Sequence, residues 1–255
     1  MPLEPYIKEG IEELLFASDS IALGKFRINA SHPSFEDTGA PHDNAIVFPR
    51  RMIRIEHVNG PAFVADPTIV PLYNRGQRFT RHAISNEDHA DWIVVADDIL
   101  AEIAGAPAFR APFALSDSVT FLAQRRIFDA LLRGEPVDAL RIEETMLGVA
   151  ARVLRRPIDV APRRTDVAIV ERIKKIIAAD VAKNHSLRHL AMTAEVTPFR
   201  LCRLFKAVAG VTLTEYRHSL RLRAALPRIR KSDDLAALAA ELGYASHSHF
   251  TAVFR

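Results

Sequence analysis

"LAMTAEVTPFRLCRLFK", residues 190–206, is echoed by "LAAELGYASHSHFTAVFR", residues 238–255, and the pairing of these two stretches decides how the chain is read. Leu190 and Ala191 match Leu238 and Ala239 at an offset of 48, whereas Leu201, Leu204, Phe205 and Lys206 match Phe250, Val253, Phe254 and Arg255 at 49. The second copy therefore carries one extra residue in its middle. Each copy reads as helix, tight turn, helix. In the first, Thr197 suits the N-cap, Pro198 the first helical position and Gly210 the C-terminal stop. At about 100° per residue, Leu201, Leu204, Phe205 and Val208 share one stripe, while Phe199, Cys202, Arg203 and Lys206 lie close to the opposite side. In the second copy Ser246 is the expected N-cap, and Phe250, Val253 and Phe254 form the inner stripe.

Two such units have a physical use. The second helix of a helix-turn-helix can enter a major groove, and two units joined by the helix-like "TLTEYRHSLRLRAAL" (212–226) would reach successive grooves about 34 Å apart. The expected DNA-facing residues are Thr197, Phe199, Arg200, Cys202, Arg203 and Lys206 in the first unit. In the second they are Ser246, His247, Ser248, Thr251, Ala252 and Arg255, with His247 and His249 at the flanks. Arg203 has the fork of donors that can meet guanine O6 and N7 together, Phe199 can touch a thymine methyl, and Lys206 suits phosphate; Arg200, at the edge, could do either. Ala252 stands where the first unit has Arg203, so the second unit is expected mainly to position the protein through phosphates. Arg217, Arg221, Arg223, Arg228, Arg230 and Lys231 add charge around the connecting segment, either for solubility or for phosphate anchoring.

At these residues the sequence resembles the DNA-binding domain of AraC/XylS-family transcriptional regulators, over about residues 165–255. The front half, especially "VFPRRMIRIEHVNGPAFVADPTIVPLYNRGQRF" (47–79), is similar to the cupin-type effector domains of such regulators. The resemblance implies a one-component switch: an N-terminal domain that senses a small molecule or assembles a homodimer, and a C-terminal domain that binds double-stranded promoter DNA. RNA polymerase is a further partner such a regulator could meet, and no cofactor is implied. Three departures stand out. The family pattern continues past the second recognition helix, so a chain ending at Arg255 is expected to be truncated, with the second unit's apolar side less well covered. Pro227 should shorten or kink the connecting helix, because it lacks a donor. Glu195 sits at a turn position where Gly is common.

Composition agrees with two dissimilar halves. Residues 165–255 hold 15 Lys/Arg against 8 Asp/Glu, whereas residues 1–164 hold 19 against 23. The halves should meet different partners. Cys202 is the single cysteine, so no internal disulfide can form and no CxxC pair suggests zinc; a reducing cytoplasm fits. The acidic start "MPLEPYIKEGIEELLF" has no signal-peptide pattern, and no stretch approaches the ~18 apolar residues of a membrane span.

Residues 20–96 contain strand-like segments: "SIALGKFRI", "NAIVF", "MIRIEHV", "PAFVA", "TIVPLY", "RFTRHA" and "DWIVVA". Turn formers Asn59-Gly60-Pro61, Asp66-Pro67 and Asn74-Arg75-Gly76 separate them. Ile53 and Ile55 alternate with Arg54 and Glu56, as in a strand with one buried face. Many short strands point to a β-barrel or sandwich. A helix should begin near Asp97, and "GAPAFRAPF" breaks the pattern. From Ser116 to Arg156 two helices are expected, with Val119, Leu122, Ile127 and Leu131 and then Leu140, Met146, Val149 and Val153 as apolar positions. They could dock on their own domain or on a second copy. The fold is thus α+β in two domains: a cupin-like effector domain over 1–115, a helical pair over 116–156, a linker over 157–164 and an all-α double helix-turn-helix domain over 165–255.

Other chemistries are weaker. His57, His82 and His89 fall in the barrel, where a cupin-like metal-dependent enzyme with an accessory nucleic-acid module would hold iron, manganese or zinc, but they lack the His-x-His spacing such sites use. The only His-x-His is His247-Ser248-His249, whose alternate positions on a helix diverge. Cys202 could be a redox sensor, though a small residue filling a helix face is the plainer reading. No nucleophile triad, phosphate loop or carboxylate pair marks an enzyme. An effector pocket within 20–96 could use Arg50, Arg51, Arg54, Tyr73, Arg75 and Arg78, unless these pair with acids such as Glu56 and Asp66.

Overall fold

The computed structural model describes residues 2–155, 164–229, 234–244, 246, 250 and 251, with the backbone alone at Arg164. The chain divides into two compact units, Met1–Ala161 and Pro162–Arg255. Nearly all of the linker expected over 157–164 falls outside the described residues.

The first unit is antiparallel throughout. Strands β1 (Glu12–Ala17), β2 (Ile21–Asn29), β3 (Ala45–Pro49), β6 (Ile69–Tyr73), β8 (Glu87–Val95) and β9 (Phe113–Leu115) form a six-stranded sheet in the order β1-β2-β8-β3-β6-β9. Strands β4 (Ile53–His57), β5 (Ala62–Ala65) and β7 (Phe79–Ala83) form a second, in the order β5-β4-β7. Residues of both, including Ile28, Ile53, Ile55, Phe63, Ile69, Tyr73 and Phe113, share one buried cluster, so the sheets face each other across an apolar core. The alternation expected in β4 is present, with Ile53 and Ile55 buried and Arg54 and Glu56 partly exposed. The same period carries His57 inward. Strands β1 and β9 were not expected. Both are edges of the larger sheet: β1 is nowhere fully buried and so alternates weakly, and β9, buried at Phe113 and Ala114, is only three residues long, too short to show a period.

Helix α1 (Asp97–Ala104) starts where expected and stops at Gly105, which takes the left-handed conformation at φ 70°. Helices α2 (Ser118–Leu132) and α3 (Ala139–Leu154) are capped by Asp117 and Asp138, whose carboxylates accept from Thr120 N and Arg141 N. The pair docks on its own unit: Ile127, Phe128, Ile142, Met146, Val149 and Val153 join Ile21, Leu23, Ile46 and Ile93 of the sheet in one core. Two apolar assignments are corrected. Val119 is 59% exposed and Leu140 62% exposed. On α2 the buried stripe instead contains polar Thr120 and Gln124.

Gln124 is inside because a carboxylate waits for it. Asp91, in the middle of β8 and fully buried, accepts from Gln124 Nε2 at 2.6 Å and from Arg125 Nη1 at 3.4 Å through Oδ2. Its Oδ1 takes Arg50, with Nε at 2.9 Å and Nη2 at 2.7 Å. A buried charge is tolerable only when paired and hydrogen-bonded, and here the pairing also fastens α2 to the sheet.

The second unit is helical: α4 (Arg164–Ala179), α5 (Leu187–Thr193), α6 (Pro198–Ala209), α7 (Leu213–Ile229) and α8 (Leu235–Glu241). Val167, Val170, Ile173, Leu201, Phe205, Tyr216 and Leu220 are buried around the first helix-turn-helix, and the Phe205 and Tyr216 rings meet edge-on at 5.3 Å. A second core joins Ala225, Leu238, Leu242, Tyr244 and Phe250, all buried, where thinner cover was expected. Helix α7 opens on a reciprocal capping box, with Thr212 N donating to Glu215 and Glu215 N to Thr212 Oγ1. It includes Pro227 and is described to Ile229, beyond which residues 230–233 lie outside the described residues. No helix among the described residues is long and apolar enough to cross a membrane.

His57 gives a stability test. It is buried among Phe63, Tyr73 and Phe79, neither ring nitrogen has a hydrogen-bond partner among the described residues, and burial lowers its pKa. The unfolded chain therefore takes up this proton first as pH falls through about 6.5, so the protonation of His57 adds a cost to stability on the acid side and none above it. His57→Phe should stabilise the first unit by about 1 kcal/mol at pH 8, where only the unmet nitrogens count, and by more at pH 5.5. Urea denaturation at the two pH values measures this; an identical gain at both would refute the protonation argument.

Candidate nucleic-acid interface

The first helix-turn-helix is assembled from short local devices. Ser186 caps α5 by accepting from His189 N, and Thr197 caps α6 by accepting from Arg200 N at 3.2 Å. Pro198 opens α6 and Gly210, at φ 72°, closes it. Leu201 and Phe205 are fully buried, Val208 and Ala209 nearly so, and Leu204 half-buried, which turns the opposite side of α6 outward. Thr197, Phe199, Arg200, Cys202, Arg203 and Lys206 are all exposed, Phe199 at 72%. The Arg203 guanidinium carbon lies 5.8 Å from the Phe199 ring centroid, and Cys202 is a free thiol. The six side chains expected to face DNA are thus all exposed, with Phe199, Cys202, Arg203 and Lys206 on the side of α6 opposite its buried stripe and Arg200 at the edge.

The turns of the two units are built alike. In the first, Glu195 N donates to Met192 O and Val196 N to Ala191 O; in the second, Gly243 N donates to Ala240 O and Tyr244 N to Ala239 O. These pairs correspond at the offset of 48. The next helix begins with Leu201 N on Thr197 O and with Phe250 N on Ser246 O, at the offset of 49. The extra residue therefore falls between Tyr244 and Ser246, as the sequence alignment of the repeat requires. Ser246 is exposed and Thr251 half-buried. His247, Ser248, His249, Ala252 and Arg255 lie outside the described residues.

Glu195 and Gly243 occupy equivalent positions, at φ 57° and 78°. The left-handed conformation disfavours side chains, yet Glu195 is exposed and 3.5 Å from Arg172, so the first turn has room for one. The second has none. A Cβ on Gly243 would stand 2.0 Å from Ala182 O and 2.6 Å from Arg221 Nη2.

Arg221 is the reason for that crowding. It is 1% exposed, and its guanidinium donates from Nε to Val181 O at 2.7 Å, from Nη1 to Gly243 O at 2.9 Å, and from Nη2 to Ala182 O at 2.8 Å and Asn184 Oδ1 at 3.0 Å. Arg223 is also buried and donates to Ser219 O, and Arg228 pairs with Glu241. Arg221 and Arg223 are therefore removed from the set of phosphate anchors: the apolar periodicity of α7 does not reveal that its inner face is partly basic. Arg230 and Lys231 lie outside the described residues.

Residues 190–255 match the family model for a helix-turn-helix domain. No curated protein sequence matches the chain. Among solved structures it is similar to ToxT from Vibrio cholerae O395, at 15% identity over 93% of each chain with a TM-score of 0.39. It is similar also to ToxT from that source bound to (E)-4-(8-methylnaphthalen-1-yl)but-3-enoic acid, at 15% identity over 92% of this chain and 94% of that one, TM-score 0.38. A third is the AraC-like transcriptional activator CuxR, at 13% identity over 88% and 86%, TM-score 0.40.

The first unit holds a cavity of about 360 Å³ between strands and the segment 39–43. Of the six residues suggested for an effector, only Tyr73 lines it. Arg50 is committed to Asp91, Arg51 contacts Glu87, and Arg75 binds His42 O and Asp97. Arg54 and Arg78 are not part of the wall. The charged wall residues are instead Lys8, Glu12, Asp43, Arg81 and Asp88, alongside His42. Burial raises the Asp88 carboxyl to about 6, against the pull of Arg81. His57, His82 and His89 do not converge: His57 sits in its aromatic cluster, and His82 lies between Glu36 and Glu56 at 3.8 and 3.7 Å. Among the described residues no three His, Cys, Asp or Glu side chains could hold a metal ion.

The helix-turn-helix domain makes three stability tests available. Gly243→Ala should cost about 3 kcal/mol or more through backbone overlap, whereas Glu195→Gly should change stability by less than about 1 kcal/mol, upward. Arg221→Lys, which cannot reproduce the planar fork, should cost about 2–4 kcal/mol. Thermal and urea melts read all three; a neutral Gly243→Ala would show that the second turn can open without penalty.

Proposed function

We propose that the chain is a one-component transcriptional regulator, in which the second unit reads promoter DNA through two successive major grooves and the first unit responds to a small molecule. The observation that carries this reading is the duplicated turn, with matching backbone hydrogen bonds in both copies and an exposed basic helix face following the first. In this reading Arg203 meets base edges, with Phe199 beneath it as an apolar contact for thymine. Lys206 and Arg200 neutralise phosphates. Cys202 sits between them as a small side chain that lets the helix approach. The second helix-turn-helix motif, with Ser246 at the start of its recognition helix and Thr251 on the following turn, positions the protein.

The small-molecule role rests on the cavity of the first unit, whose volume and largely apolar wall suit a ligand site. Assembly as a homodimer and contact with RNA polymerase belong to the same reading.

The test begins by selecting an operator from random DNA with the full chain. Arg203→Ala should then reduce discrimination between operator and random DNA by about 1–3 kcal/mol, while Lys206→Ala weakens both alike and lowers the salt dependence by about 0.9 log unit per log unit of salt. Equal losses on the two DNAs for Arg203→Ala would reject its base-reading role, and failure to select any sequence would reject the function.

A further inference from the structure

The cavity wall contains an arginine whose donors are unused. Arg81, on β7, has a side chain 14% exposed, and among the described residues it donates no hydrogen bond. Its ion-pair partner, Asp88, stands at 3.7 Å from Nη1, beyond hydrogen-bond reach, and Nε has no partner at all. What holds the guanidinium is aromatic: its carbon lies 4.6 Å from the Phe26 ring centroid and 5.6 Å from that of Phe79. Such contacts engage the plane of the group and leave its edge of N–H donors available. A buried donor with no hydrogen bond, as Nε is here, is costly, and an acceptor bound in the cavity at the guanidinium edge would complete it.

The rest of the wall narrows what that something is. Phe26, Val47, Ile55, Phe79, Trp92 and Val94 supply an apolar and aromatic surface. Glu12 and Asp88 are also present, both with carboxyl groups raised by burial, Asp88 to about 6. Acids beside the arginine would repel a nucleotide or any other polyanion, and the paucity of hydrogen-bonding groups on the apolar side disfavours a sugar. A single negative charge can be accommodated.

Resting on the reading of this cavity as the small-molecule site, we infer that its ligand is an organic monoanion, with an apolar body against Phe26, Phe79 and Trp92 and its anionic oxygens on the guanidinium edge of Arg81. The ligand completes the arginine by displacing its loose contact with Asp88. Lys8, at the exposed end of the same wall, adds positive charge along the entry.

Trp92 is the chain's single tryptophan and lines the cavity, so its fluorescence reports occupancy. Two probes share one aromatic body: anilinonaphthalene sulfonate carries an anion and phenylnaphthylamine carries none. Titrated into the full chain, the sulfonate should bind once per chain, accept energy from Trp92, and bind about tenfold or more tighter than the neutral probe, the range of a charge-assisted hydrogen bond. Arg81→Gln should remove that advantage and leave the neutral probe unchanged, which also reports that the variant is folded. Equal affinity of the two probes for the wild-type chain would overturn the anion assignment while leaving the cavity as a ligand site. So would a sulfonate affinity unaffected by Arg81→Gln. Energy transfer to neither probe would remove the ligand site itself, and the inference with it.

Discussion

The buried guanidinium of Arg221 is the constraint on which the second unit depends. Its four hydrogen bonds reach three backbone carbonyls and one amide oxygen. Val181 and Ala182 lie just past the end of α4, and Gly243 just past the end of α8. Helix C-termini carry partial negative charge and unpaired carbonyls, so a cation placed between two of them satisfies both ends at once. Arg221 itself belongs to α7, the helix that joins the two helix-turn-helix motifs. One side chain therefore ties α7, the end of α4 and the turn of the second motif together. Arg221 thus adds a polar fixed point between α4, α7 and the second turn to what the apolar cores hold.

That fixed point also explains why two copies of one motif have diverged. The backbone of the two turns is the same down to its hydrogen bonds, and both pass through the left-handed region. The first turn faces outward, so glutamate is tolerated and partly compensated by Arg172. The second is pressed against Ala182 O and Arg221, where even a methyl group has no room. Residue choice at equivalent positions is decided by what the neighbouring element brings, which a comparison of the copies by sequence does not contain.

The same distinction governs how much of the molecule was legible. The repeat, the caps at Thr197 and Gly210, the buried stripe of α6 and the seven strands between residues 20 and 96 are short-range patterns, and periodicity carries them. Strands β1 and β9 were missed because the first alternates weakly and the second is only three residues long. Val119 was placed inward and Gln124 overlooked because the buried stripe of α2 is partly polar, a choice made intelligible only by Asp91 on a strand 33 residues away. The cavity was harder still. Lys8 and Glu12, Arg81, and Asp88 with Trp92 come from three separate segments, and strand period says which face a side chain takes without saying which faces converge. The exposed face of α6 could be derived because it belongs to one helix.

Arginine shows most plainly why charge counting cannot assign roles here. Arg221 has four of its donors taken by carbonyls and an amide oxygen, Arg50 is paired with the Asp91 carboxylate, and both act in holding elements together. Arg203 is exposed, with its donors facing solvent beside an aromatic ring, where water meets its needs until a partner displaces it. Arg81 is neither saturated nor well hydrated. In sequence these four residues are the same letter in a basic or amphipathic context. The degree to which their donors are already used separates scaffold from surface, and surface from site, and it is a property of the fold rather than of the residue.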